Sequence, residues 1–467
     1  MRILKIVALF IFASIIIIPI ATFNFKENAV SEIDNRMLAA NPFFSDVDGD
    51  FTENIQNFIN DRIGLRDRMI LGYTVLHDKL FGEMVHPSYE YGTEGYVFGA
   101  GITVNEKYSQ FHESFADMVK EIQDYCTERG VPFVFVFNPS KPAVLTEYLP
   151  ISVNYDRSWV DEFFMALEER QVRFIDNTKV LREKFEDGEM VFNQKYDANH
   201  WNDIGAYYGT NSILSELKKD LPMVHVNTCD DFTLDWKLEN SLSVSQFPIN
   251  EEVPSVTMNT PLDNNLTDAY KQELIMDSSY STFAYYQNRD RMDESAPKAL
   301  VFQGSYMNVY GYKYMANAFS EYIHVHDYQN ILDFSYYYNI FQPDCVVFEV
   351  AEYTFSDTYF DYDKMKVFSL TPTIDSVLEK CYERKDDVLY SDDLYIETNA
   401  TLTNIQWQTD QVFEYVWLRL GDGFDEFDMK QTDDGYEVTV STQEYKSNTK
   451  DILEIVAFDG TFVNIYS

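Results

Sequence analysis

Two stretches that are apolar at successive positions rather than at alternate ones set the strongest limit on this fold. They are Val131-Pro132-Phe133-Val134-Phe135-Val136-Phe137 and Ala299-Leu300-Val301-Phe302. A strand with no polar face must be covered on both sides, which is the condition of a strand inside a parallel sheet. Amphipathic segments surround them, through Phe115, Met118, Val119 and Ile122, through Trp159, Phe163, Phe164 and Leu167, and through Tyr314, Ala318 and Phe319. Further short strands are expected at Val172–Ile175, Tyr322–His326 and Pro343–Val350. Strand–helix–strand repeats of this kind predict right-handed crossovers and an α/β fold with a parallel sheet flanked by helices. Ligands of such sheets bind beyond the carboxyl ends of the strands. Lys141, in Asn138-Pro139-Ser140-Lys141, is therefore a candidate substrate-binding residue, and Glu352 is read as a buried salt-bridge partner.

The chemistry concentrates in Asp197-Ala198-Asn199-His200-Trp201-Asn202. An Asp three residues before a His can fold back within one turn and accept the Nδ1 proton, leaving Nε2 to take a proton from a hydroxyl. The nucleophile missing here is expected at Ser305. There the second apolar run ends in Gln303-Gly304-Ser305-Tyr306 before a helical pattern, a strand-to-helix turn with backbone N–H groups ready for an oxyanion. Each residue alone reads equally well as a cap or a turn. Their joint occurrence predicts a Ser305–His200–Asp197 triad. Trp201 is expected to pack under the loop, with sugar stacking as the alternative, and Tyr306 joins Lys141 and Trp201 as a substrate-binding candidate.

Several stretches resemble the SGNH-hydrolase-like group that includes the alginate O-acetyltransferases, also called the DHHW family. They are Asn57–Asp67, Gly92–Phe98, Asn138–Lys141 with Glu147–Pro150, and Asp197–Trp201, in the family's order, within roughly residues 27–370. As in that family, the Asp/His motif precedes the Ser. Two residues separate Asp197 from His200 where the family often has one, and Gln303-Gly304 stands where Gly-Asp commonly precedes the Ser. The resemblance implies acetyl transfer to a polysaccharide acceptor, with the acetyl group delivered by a membrane-bound acyltransferase as partner.

Ile6 to Phe23 is almost unbroken apolar sequence after Arg2 and Lys5, just long enough to span a bilayer with the rest of the chain outside. Ile17–Phe23 offers no clean small-x-small cleavage site, which favours an uncleaved anchor over a signal peptide. Asp46-Val47-Asp48-Gly49-Asp50 is a poor calcium loop, with Gly misplaced and Asn57 where a bidentate Glu belongs, and reads as a solvated cap. Residues 224–297 are polar and acidic and read as an insertion. After about Asp386 short alternating runs predict a small β-sandwich-like domain. The expected organisation is therefore an anchor at 1–26, an SGNH-like α/β domain at 27–385 and an all-β domain at 386–467.

Acidic residues outnumber Lys and Arg 77 to 36, a net charge of −41, which opposes binding to nucleic acid. The four cysteines, Cys126, Cys229, Cys345 and Cys381, lack zinc spacing, and Cys126 and Cys345 are expected as buried thiols. His324 and His326 share a strand face and could take a metal with Asp327, but no third ligand motif is evident and ordinary surface or core histidines are the preferred reading, so no metal is expected, and the triad chemistry calls for no cofactor. The expected protein is a membrane-anchored, extracytoplasmic O-acetyltransferase. The alternatives are a non-catalytic polysaccharide-binding or scaffold subunit and a carbohydrate acetylesterase.

Overall fold

The computed structural model describes residues 2–26, 29–31, 36–43, 51–85, 89–99, 107–242, 247–277, 282–379, 384–387, 393–421, 425–448 and 453–466. Asp46–Asp50 and Cys381 lie outside them.

Six strands form the central sheet: β1 (Phe133–Asn138), β2 (Phe174–Asp176), β3 (Phe283–Gln287), β4 (Lys298–Gln303), β5 (Glu321–His326) and β6 (Cys345–Ala351), in the order β2-β1-β6-β4-β5-β3. Five run parallel and the edge strand β3 is antiparallel to β5. The sheet is thus mixed, where the sequence predicted a parallel one. Phe133, Phe135, Phe137, Leu300, Phe302, Val346 and Phe348 enter one core, whose helical cover is Gln110–Glu128, Ser158–Glu169 and Phe334–Phe341. Val134, Val136, Ala299, Val301 and Val347 enter the opposite core with Trp201, Tyr306 and helix Asp203–Leu217. Both faces of each run are covered, which is why the runs carry no polar alternation.

From β4 the chain crosses to β5 on one side and then back to β6 on the other. The carboxyl end of β4 is therefore a topological switch point, where the two crossovers diverge and leave a crevice. Ser305 stands there. It begins a helical stretch that runs to Ala316 and contains a π-helical turn at Met307–Gly311.

Residues 224–297 divide into two parts. Phe232–Ser241 and Pro248–Met258 pair as an antiparallel ribbon, with both strands largely at the surface, and then helix Leu266–Glu273 and β3 return to the central sheet. The expected insertion is corrected accordingly, since its last part supplies a strand of the main fold.

Helix Arg2–Ala21 contains an apolar stretch, Ile3–Ala21, long enough to cross a membrane and only 6% buried. Its end is tied to the loop after helix Phe51–Arg62: Gly64 N donates to Pro19 O at 2.9 Å and Asn24 N to Arg62 O at 2.8 Å. The buried Arg62 side chain donates to the carbonyls of Ala39 (2.8 Å), Lys26 (2.5 Å) and Asn24 (3.3 Å).

The C-terminal part holds a five-stranded and a four-stranded sheet around a core with Ile405, Leu418, Phe427, Val440 and Ile455. Ile374 and Val377 pack on it with Trp417 and Val456. It is joined to the α/β part through Asp428, whose carboxylate meets Arg129 (3.0 Å) and Tyr125 Oη (2.6 Å), all three buried or nearly so. Glu273 adds a second tie by accepting the N–H groups of Ala400, Thr401 and Leu402. Cys126 and Cys345 are buried free thiols and Cys229 is exposed.

Candidate active site

The loop that carries Asp197 and His200 is held from three sides. Asn202 caps helix Asp203–Leu217 by accepting the N–H groups of Ile204 and Gly205, both at 3.0 Å, while its amide donates to Met190 O at 2.7 Å. Glu251 of the ribbon accepts the backbone N–H groups of Gln194 (2.7 Å), Lys195 (3.0 Å) and Tyr196 (2.6 Å). Underneath, the Trp201 ring lies so close to Gly209 that a Cβ there would stand 2.2 Å from it.

Asp197 has φ 53°, a left-handed conformation that Asp tolerates better than most residues. From it the carboxylate turns back onto its own loop and accepts the His200 backbone N–H at 3.2 Å. It also faces His200 Nδ1 at 2.8 and 3.0 Å through its two oxygens. On the far side of the ring, Nε2 is 2.8 Å from Ser305 Oγ. Three residues from two segments more than a hundred positions apart thus form one hydrogen-bonded line. Burial disfavours a charged imidazole, but the Asp197 carboxylate and its hydrogen bond outweigh that, so His200 titrates above its ordinary value. Burial likewise opposes the Asp197 charge, and His200 with the loop N–H groups more than compensates, lowering its pKa.

Of the three substrate-binding candidates, Trp201 packs under the loop, which is its first reading, while Lys141 and Tyr306 are turned into the interior. Lys141 is fully buried and donates to Val97 O at 2.8 Å and Gln194 O at 3.2 Å. Tyr306 is buried, with its hydroxyl 2.7 Å from the carbonyls of both Pro139 and Asn199, which share its single proton. Trp201 is buried and its Nε1 donates to Tyr306 O at 3.0 Å. Their polar atoms face the protein's own backbone carbonyls, so in this structure each ties together the loops of the site. The cause is physical: a carboxyl-end position places a residue near the crevice without saying whether its side chain points out or in. Glu352 is the ion-pair partner expected, 2.8 Å from Arg157 and also accepting Ser140 N.

Four further residues stand at the site; from the sequence three of them carry no assignment and the fourth, Asp327, reads only as a conceivable metal ligand. The Tyr353 hydroxyl lies 2.5 Å from Ser305 Oγ and 3.3 Å from His200 Nε2, while the ring is 39% exposed. Burial of its hydroxyl end pushes the phenol well above its ordinary pKa, so it remains a proton donor. The Tyr310 hydroxyl donates to Asp197 Oδ2 at 3.3 Å. Glu349 accepts Gly304 N at 2.8 Å, and Asp327 lies beside it, both without solvent exposure. For Glu349 a signal existed: a lone acid near the carboxyl end of an otherwise apolar strand. His324 and His326 are buried, and burial lowers the pKa of both. Among the described residues no group of three or more His, Cys, Asp or Glu side chains is placed to hold a metal.

Residues 92–244 match the family model described as "SGNH hydrolase-like domain, acetyltransferase AlgX". No curated protein matches. Among solved structures the chain is similar to the O-acetyltransferase domain of Pseudomonas putida AlgJ, at 14% identity, 60% of this chain, 99% of that chain and TM-score 0.42. It is similar to Bacillus cereus PatB1, at 16% identity, 56% of this chain, 95% of that chain and TM-score 0.43. For Pseudomonas aeruginosa AlgX the identity is 13% over 76% of this chain and 86% of that chain, with TM-score 0.37. The fold of the α/β part is SGNH-like, and from residue 92 to residue 244, a stretch that holds Asp197 and His200, this chain is similar to the SGNH hydrolase-like domain of the AlgX acetyltransferases.

Proposed function

We propose that this protein is an O-acetyltransferase that moves an acetyl group onto a hydroxyl of a bacterial cell-surface or secreted polysaccharide. The observation that carries the reading is the unbroken line Asp197–His200–Ser305 at the crevice, with both hydrogen bonds at 2.8 Å. A scaffold has no need of such a line. The match over residues 92–244 to an acetyltransferase family supports the choice of acyl group.

In this reading Ser305 Oγ attacks the carbonyl carbon of an acetyl donor while His200 Nε2 takes the hydroxyl proton. The C–O bond formed makes a tetrahedral oxyanion, met by the N–H groups at the start of the Ser305 helix and by the Tyr353 hydroxyl. Collapse breaks the bond to the donor's leaving group, which receives the proton from His200, and leaves acetyl-Ser305. An acceptor hydroxyl then gives its proton to His200 and attacks the acetyl carbon, and the proton returns to Ser305. Asp197 holds the imidazole and balances its charge at both stages.

The apolar N-terminal helix serves here as an anchor that places the domain outside the membrane, beside a membrane-bound acyltransferase that supplies the acetyl group. The test uses the full chain, an acetyl donor and a panel of oligosaccharides, with mass spectrometry of both acceptor and protein. Wild type should yield acetylated acceptor and transient acetyl-Ser305. Ser305→Ala and His200→Ala should each lose up to about 10⁶-fold in rate, and Asp197→Ala less. Equal product from wild type and Ser305→Ala would remove the proposal, and acetate release without transfer to any acceptor would make it an esterase.

A further inference from the structure

A second pair of acids lies directly behind the nucleophile, outside the triad. Glu349, the fifth residue of β6, is fully buried, and its two oxygens have separate tasks. Oε2 accepts Gly304 N at 2.8 Å and Oε1 accepts the Asn138 amide at 2.6 Å. Asn138 accepts in turn from Asn177 (2.8 Å), and Asn177 from Ser212 (2.5 Å). A continuous polar chain therefore runs from helix Asp203–Leu217 through the sheet end to the residue before Ser305. Asp327, just past β5, is also fully buried. A Cβ built on Gly304 would stand 3.5 and 3.8 Å from the Asp327 oxygens and 3.8 Å from Glu349 Oε2, so the two carboxyl groups flank one glycine. The resembling family commonly has its acid at that very position, and here two acids from neighbouring strands face it.

Two carboxylates cannot both ionise in a buried space this small. The Gly304 and Asn138 donors favour the charge on Glu349. Among the described residues neither Asp327 oxygen makes a well-formed hydrogen bond: the backbone N–H groups of Asp327 and Tyr328 give weak support, and the His326 ring nitrogen stands 3.4 Å away in a buried, uncharged ring, so burial dominates and raises Asp327 well above its ordinary value. The proton therefore belongs to Asp327 and the charge to Glu349. The other titratable groups that feel Glu349 are His200, Tyr322, Tyr328 and Tyr353, of which only His200 gains a positive charge.

We propose that Glu349 is a positioning residue of the acetyl transfer: its carboxylate fixes the peptide before Ser305 and supplies, after Asp197, the second negative charge against which His200 becomes an imidazolium. This rests on the triad reading. When Ser305 gives its proton to His200, the charge on the ring is met by Asp197 at 2.8 Å and, at longer range, by Glu349 behind Gly304, and Glu349 itself exchanges no proton in the step. Burial raises Glu349 to about 7, against the pull of Gly304, Asn138 and His200, so its charge is only half present at pH 7 and becomes complete above it, where His200 is the neutral base.

Glu349→Gln tests this, because the isosteric amide can still accept from Gly304 while the charge is gone. The seven histidines of the full chain are labelled and titrated by NMR, with the His200 signal assigned from its loss in His200→Ala. In Glu349→Gln the His200 midpoint should fall by roughly half a pH unit or more, and the acid limb of acetyl-ester turnover should follow it. Asp327→Asn should leave the midpoint in place. Glu349→Asp keeps a charge but draws it back from Gly304, so it should hold the midpoint near wild type while kcat drops about tenfold at unchanged KM. An unmoved midpoint in folded Glu349→Gln, or an equal fall in Asp327→Asn, overturns the proposal; if Glu349→Gln does not fold, a kcat in Glu349→Asp equal to wild type does so. Because the midpoint needs no turnover, wild type lacking all esterase and transferase activity would defeat the functional reading and still leave this measurement to stand or fall alone.

Discussion

His200 works as a base only when neutral, and its environment favours the charged form. Since Asp197 raises its pKa above the ordinary 6.5, the activity should fall on acidification with a midpoint above that value and recover on raising the pH. A pH profile of kcat/KM for a small acetyl ester measures this, and a midpoint below 6 would contradict it. Tyr353→Phe removes a hydroxyl 2.5 Å from Ser305 Oγ without touching the triad. If the hydroxyl meets the oxyanion, kcat should fall on the order of 10²-fold with KM nearly unchanged. Asp197, His200 and Ser305 were legible in the sequence because their chemistry is local: one turn joins the first two, and an abrupt strand end exposes the third. Tyr353 and Asp327 were not, because nothing near them in sequence distinguishes them from the many tyrosines and acids of this chain. Only the return of β5 and β6 to the Ser305 edge brings them in.

At the scale of elements, one lysine shows what position alone leaves open. Lys141 bridges the carbonyls of Val97 and Gln194 from the interior, and burial lowers its pKa to about 7 despite the pull of Glu251 and Asp197. Lys141→Met should cost about 1–3 kcal/mol, because the Val97 carbonyl loses this donor while the Gln194 carbonyl keeps only the Val97 N–H. The melting temperature should drop while kcat of the folded fraction stays near wild type; a specific loss of substrate affinity instead would restore its role as a ligand. The strands of the central sheet were readable because burial on both faces erases alternation. Strand β3 was not, because it lies on the edge after an exposed ribbon, and its Phe283-Ala284-Tyr285-Tyr286-Gln287 run is short and follows acidic sequence. Helix Asn177–Glu186 was also passed over: it is largely polar, with Leu181 its one fully buried apolar side chain.

For the whole molecule, the all-β unit proposed from residue 386 onward depends on a small polar contact. Burial raises Asp428 to about 6, against the pull of Arg129 and Tyr125, so its charge persists at neutral pH only through those partners. Asp428→Ala would strand the Arg129 guanidinium in the interface, at a cost of about 3–5 kcal/mol. Calorimetry should then show the C-terminal sheets melting apart from the rest, and limited proteolysis should release them. A single unshifted transition would mean that the apolar contacts around Leu402 suffice. The change to short alternating strands after residue 386 was visible in sequence. The pairing across 303 residues, from Tyr125 to Asp428, was not.

In the proposed anchored enzyme, the tie between Pro19 and Gly64, reinforced by the three carbonyls that Arg62 gathers, opposes the swivel that a bare tether would allow. With the apolar helix in a bilayer, the crevice is held at one height and one heading, like a tool on a bracket rather than on a cord. Its reach is then a shell a fixed distance above the lipid, where a polymer would be met as it leaves the membrane rather than after it has drifted free. Breaking the bracket with Arg62→Ala should leave small-ester turnover intact and lower acetylation of membrane-emerging polymer in cells, a difference that soluble oligosaccharides would not reveal.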